Sequence, residues 1–128
     1  MKTTTTLLKR LLFACIIGYV YSPYMIKAQC TGCTTTISTN TSTAVIVTSG
    51  QTLCIAPSVI MSGGMVINSG GKVCNQGIIN NGIQIFGGGT LNNYGNIDSS
   101  GISNWGLLNN YGSINGYSDT SEIGRAHV

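Results

Sequence analysis

Charge is scarce in this chain of 128 residues: Lys and Arg together number 6, Asp and Glu 3, and there is one His. The basic residues are Lys2, Lys9, Arg10, Lys27, Lys72 and Arg125, so most of them crowd the N-terminal end. Between Gln29 and Ser121 Lys72 stands against Asp98 and Asp119, one positive charge less two negative, a net of −1. The formal net charge of +3 therefore describes the ends of the chain, and a basic footprint for nucleic acid or an anionic membrane is excluded. So few acids exclude the carboxylate pairs of sugar-cleaving enzymes and calcium cages. The lone His127 sits in the last residues, so no nucleophile and base can be paired. We expect no catalytic residue, no metal site, no cofactor and no enzymatic activity. Disorder normally combines high charge with low hydrophobicity, whereas regularly spaced Ile, Leu and Val here argue for ordered burial.

Long apolar runs are also missing, with one exception near the start. MKTTTTLLKRLLFACIIGYVYSPYMIKAQ carries a basic region and then an apolar stretch from Leu11 to Tyr21. Spanning a bilayer takes roughly 20 apolar residues, so this stretch is too short for a transmembrane anchor. It reads as a secretory signal peptide over residues 1–28, with Ile26-Lys27-Ala28 before the cut. Export through a cleaved signal peptide places the mature chain outside the cell or on its outer surface. At the other end, Ile123 to Val128 (IGRAHV) departs from the chemistry that precedes it. It is also the translation of ATC GGA AGA GCA CAC GTC, the opening of a widely used sequencing-library adapter. Residues 123–128 are therefore read as adapter-derived, and the protein is expected to continue past Ser121.

What is abundant is Gly, Asn, Ser and Thr, arranged around single aliphatic residues. Residues 29–58 are rich in Thr, Val and Ile and read as an N-terminal strand and cap region. Residues 59–117 settle into a six-residue word: VINSGG, KVCNQG, IINNG, then TLNNYG, NIDSSG, ISNWG and LLNNYG. Residues 118–128 form a non-repeat tail. Each word has at least one aliphatic residue, a polar pair and a terminal glycine. Such a unit cannot bury its apolar face alone and must stack on its neighbours. Three words make one triangular coil, with Ile67, Val73, Ile79, Leu91, Ile97, Ile102, Leu108 and Ile114 pointing inward. Gly at the word ends serves the corners, and Asn80, Asn92, Asn93, Asn109 and Asn110 are placed to stack as amide ladders. The expected fold is all-β, a short parallel β-solenoid.

The words TLNNYG, NIDSSG, KVCNQG and LLNNYG resemble the Asn/Gly-rich repeats of bacterial secreted β-helix surface proteins and adhesins, over roughly residues 44–117. The resemblance implies a parallel solenoid with a surface role, often followed by a C-terminal sorting or anchoring domain, and it transfers no functional residue. The word differs from the left-handed hexapeptide pattern of sugar-nucleotide acyltransferases, in which Gly commonly follows the aliphatic residue directly. A right-handed β-helix is favoured on that ground.

Four cysteines remain after signal removal. In an exported chain they point to disulfides rather than to zinc or redox chemistry. Cys54 and Cys74, on adjacent coils, are expected to pair, leaving Cys30 and Cys33 to each other or reduced. Tyr94, Tyr111 and Trp105 occupy the variable position before a glycine. They are the candidate ligand-binding residues, a strip on which sugar rings of surface glycans stack; the plainer expectation is an aromatic ladder that holds coils together. Asp98 stands where other words carry Asn and reads as its substitute. The function expected is a secreted or cell-surface, adhesin-like structural scaffold. The alternatives are a carbohydrate-binding module using the aromatic strip, and the N-terminal part of a larger secreted enzyme. Self-association through the open edge of the last coil, Leu107 to Tyr117, is also expected. Resequencing the locus from source DNA past codon 121 checks the tail: further in-frame coils are expected, and IGRAHV followed by a stop would refute the adapter origin.

Overall fold

The computed structural model describes residues 30–116 and the backbone of 125–127. Residues 1–29, with the expected signal peptide, and Tyr117, Asp119 and most of the tail lie outside the described residues. Every element of the described part is a β-strand. The first two are β1 (Thr35–Ile37) and β2 (Val45–Val47). A coil follows from β3 (Thr52–Ile55), β4 (Ile60–Met61) and β5 (Met65–Ile67). The next comprises β6 (Lys72–Asn75), β7 (Ile78–Ile79) and β8 (Ile83–Ile85). Then come β9 (Thr90–Asn93), β10 (Asn96–Ile97) and β11 (Ile102–Asn104), and finally β12 (Leu107–Asn110), β13 (Ser113–Ile114) and β14 (Arg125–His127).

Successive strands pair across coils and not along the chain. Three parallel sheets result: β1-β3-β6-β9-β12-β14, β4-β7-β10-β13 and β2-β5-β8-β11. The chain is thus an all-β parallel solenoid of about four turns, three-sided as the repeat implied. The reason is local. Strands of two to four residues alternate inward and outward side chains, place one or two apolar residues inside, and turn at short corners, most of which carry Gly or Asn.

Inward residues form continuous columns. Leu53, Val73, Leu91 and Leu108 are register partners along the first sheet, and Met61, Ile79, Ile97 and Ile114 along the second. Along the third run Met65, Ile83 and Ile102 beside Val47, Ile67 and Ile85. Of the eight positions expected inside, seven are buried and Ile114 packs part-buried against them. The core also takes Ile55, Val59, Met61, Met65, Ile83 and Ile85, where the six-residue word is blurred. Stacking begins at Thr35, since β1 pairs with β3. At the far end the backbone of β14 lies parallel to β12, so the edge of the last coil on the first sheet is covered.

The disulfides differ from the expected pairing. Cys74 is bonded to Cys30 and Cys54 to Cys33, while Cys54 and Cys74 are register neighbours in the first sheet. Residues in register on parallel strands hold their Cβ atoms side by side at the interstrand spacing of about 4.8 Å. A disulfide needs Cβ atoms roughly 3.5–4.5 Å apart, so the two half-cystines reach outward to a third segment instead. That segment, Cys30-Thr31-Gly32-Cys33, becomes a hook over the outer face of the first sheet. The bonds span sequence separations of 44 and 21 residues, and restricting the unfolded chain that way stabilises by about 3–4 kcal/mol for each.

Corners impose the strictest residue requirement. Gly77, Gly95 and Gly112 follow the first sheet in consecutive coils, and a Cβ on Gly95 or Gly112 would strike the backbone carbonyl of the glycine one coil earlier. At the corner after the third sheet, Gly50, Gly70 and Gly88 share positive φ values of 79°, 76° and 84°. Gly82 differs, with Gly101 O at 3.8 Å as its nearest prospective neighbour. Accordingly, Gly95→Ala should cost about 3 kcal/mol or more in urea unfolding, whereas Gly82→Ala should stay within about 1 kcal/mol of the parent.

Candidate functional site

The corner after the first sheet is built by an Asn-x-Gly triplet. Asn75, Asn93 and Asn110 end β6, β9 and β12, and Asn75 and Asn93 are wholly buried. Asn75 Oδ1 accepts from Gly77 N at 3.0 Å, and the Nδ2 atoms of Asn75, Asn93 and Asn110 donate to the carbonyl two residues on at 3.2–3.3 Å. The same amides bond from coil to coil. Asn75 Nδ2 donates to Asn93 Oδ1 at 2.8 Å, and Asn93 Nδ2 to Asn110 Oδ1 at 2.7 Å. This is an amide ladder through the interior, continuing upward from the aliphatic pair Ile37 and Ile55. With the side chain of Asn turned inward, the middle residue of each triplet is thrown outward.

Those middle residues are Gln76, Tyr94 and Tyr111. Tyr94 and Tyr111 stack with centroids 4.8 Å apart and planes 10° from parallel, and Tyr111 is 65% exposed. Trp105 belongs to the same kind of triplet, Asn104-Trp105-Gly106, in which Gly106 N donates to Asn104 Oδ1 at 3.1 Å. Its corner, however, lies between the third and first sheets, and its partner is Phe86, at 5.6 Å and 18°. The structure therefore brings Tyr94 and Tyr111 together and sets Trp105 in a second ladder on another corner. Phe86 was not foreseen as its partner, because the corner after β8 holds four residues and the one after β11 only two. Asn104, 1% exposed, stands above Val47, Ile67 and Ile85, and its Nδ2 has no hydrogen-bond partner.

Polar residues outside the core follow the same logic. Asn109 Nδ2 donates to Asn92 Oδ1 at 2.8 Å on the outer face of the first sheet, a second amide pair. Asn80, Asp98 and Asn115 take equivalent places after β7, β10 and β13, and Asn115 Nδ2 donates to Asp98 Oδ1 at 2.8 Å. Asp98 thus does the bonding of an Asn. Of the expected ladder residues, Asn93 with Asn110 and Asn92 with Asn109 pair, and Asn75 joins them. No cluster of three or more His, Cys, Asp or Glu that could hold a metal occurs among the described residues.

The hook closes one side of a cavity on the first sheet. About 370 Å³ in volume, it is lined by Cys30, Gly32, Thr52, Lys72, Asn92 and Tyr94 among others, and among the described residues no carboxylate lines it. Lys72 lies in register between Thr52 and Thr90 on the outward side of the sheet. Sequence reasoning missed this site. The Cys30 to Cys74 and Cys33 to Cys54 bonds carry the hook over the strands of Thr52 and Lys72, and that pairing cannot be read from spacing. Compared with protein-family models, curated proteins and solved structures, the chain matches none. The interior ladder should dominate stability. Asn93→Ala is expected to cost about 2–4 kcal/mol in chemical denaturation because several buried partners lose their bonds, whereas Asn109→Ala on the outer face should cost less than about 1 kcal/mol.

Proposed function

We propose that this chain is a non-catalytic structural segment of an exported surface protein, a rigid β-solenoid spacer of adhesin-like character. The observation that supports the reading most is the continuity of its columns. Aliphatic, amide and glycine columns run from coil to coil with the same residue types, so the residues that vary least from coil to coil are those the stack itself requires. Lys72 lies on the first sheet and Asp98 beyond the second, so the described residues offer no acid and base converging on one point. Two disulfides fit an oxidising, extracytoplasmic setting. The basic and apolar opening of the sequence is consistent with export.

A second reading, carbohydrate binding, is favoured by one specific feature: Tyr94 lines the hook cavity while Tyr111 beside it is largely exposed. The double variant Tyr94→Ala with Tyr111→Ala separates the two. On the scaffold reading the aromatic pair contributes about 0.5–1.5 kcal/mol, so the variant should melt several degrees lower and no sugar binding should be lost. Loss of saccharide binding with an unchanged melting temperature would reverse the order of the two readings. Antibodies raised against the folded chain should also label intact cells of the source; labelling only after permeabilisation would remove the surface role.

A further inference from the structure

We propose that the hook cavity is a binding site for a monoanionic saccharide, a sugar ring bearing a carboxylate. The inference deepens the carbohydrate reading above and rests on it. It begins with an imbalance of charge. Among the described residues Lys72 lines a cavity that contains no Asp or Glu, and the one described acid, Asp98, is engaged by Asn115 away from the cavity. One ammonium group matches one negative charge, and a phosphate dianion would leave a charge unmatched.

The neighbouring groups add donors. Asn92 Oδ1 is taken by Asn109 Nδ2 from the following coil. The amide geometry then turns Asn92 Nδ2 back toward the preceding coil, where Cys74 is its register partner and the cavity lies. Thr52 supplies a hydroxyl on the same outward column as Lys72. A carboxylate accepts strongly from such donors, and charge-assisted bonds of this kind are about twice as strong as neutral ones.

Tyr94 selects a ring over a bare anion. The cavity is lined by Tyr94 and not by Tyr111, and it gathers residues of the earlier coils. Tyr94 gives one side of its ring to the stack on Tyr111 and also borders the cavity, beside the corner place that Gln76 holds one coil earlier. The C–H face of a pyranose packs against such a surface, with its carboxylate on Lys72 and its hydroxyls on Asn92 and Thr52. The hook, held by the Cys30 to Cys74 bond, forms the opposite wall. A site of this kind depends on oxidation, because the disulfide positions the wall.

Calorimetric titration of the full mature chain with methyl α-galacturonide, which bears one carboxylate, and with the uncharged methyl α-galactoside tests the proposal. The galacturonide should bind at least about tenfold more tightly than the neutral sugar. Lys72→Met and Tyr94→Ala should each weaken it by about tenfold, a loss typical of one charge-assisted or stacking contact. Lys72→Arg should restore most of the affinity, and circular dichroism should show each variant folded. Equal binding of the two sugars, unaffected by Lys72→Met, would overturn the anionic site and leave the carbohydrate reading standing. Binding abolished by Lys72→Met and untouched by Tyr94→Ala would mean a bare anion site and overturn the saccharide. Failure of both sugars to bind would overturn the site and the carbohydrate reading together.

Discussion

In-register parallel stacking of the coils is the constraint on which everything else depends. Each residue sits about 4.8 Å from its counterpart one coil above and below, so any chemistry that fails at one position fails in a whole column. Two like charges at that spacing repel by about 3.5 kcal/mol at an effective dielectric constant near 20. Charge is consequently almost absent from the coils, and the one acid described, Asp98, bonds to an Asn rather than to another acid. The glycine column at Gly77, Gly95 and Gly112 has the same origin, because the backbones of successive corners approach too closely for a Cβ.

The amide ladder solves a problem that aliphatic columns cannot. A tight corner leaves backbone N–H and C=O groups without strand partners inside the molecule, where an unmet group costs about 1–3 kcal/mol. Asn meets them from its own side chain and passes the remaining donor to the next coil. Its inward turn also expels the middle residue of the triplet. The two aromatic ladders are therefore by-products of corner chemistry as much as surface features, and any role in recognition is built on positions that the fold had already exposed.

The hook shows a different use of covalent chemistry. Cys54 and Cys74 stand side by side and still bond elsewhere, because side-by-side Cβ atoms on parallel strands are too far apart for a disulfide. Their partners bring an otherwise peripheral segment across three coils of the first sheet. A smooth outer face thereby acquires relief, and the one lysine of the coils gains walls.

Much of this was legible in the sequence. Ile67, Val73, Ile79, Leu91, Ile97, Ile102 and Leu108 are buried where the repeating word placed them, because burial in a solenoid recurs with local spacing. Tyr94 and Tyr111 stack because they lie one coil apart in identical words. The residues left undecided were those whose neighbours depend on the length of each coil, and register partners on the first sheet are separated by 20, 18 and 17 residues in turn. Trp105 meets Phe86 rather than a tyrosine because the two follow the register partners Asn104 and Ile85 at the corner after the third sheet, whereas the tyrosines lie at the corner after the first. The sequence by itself determined the strand type, the repeat and the inward columns, since these follow from which side of a short strand each residue faces. Only the tertiary structure decided the disulfide partners and the cavity around Lys72, because both require knowing which residues from different coils share one outer face.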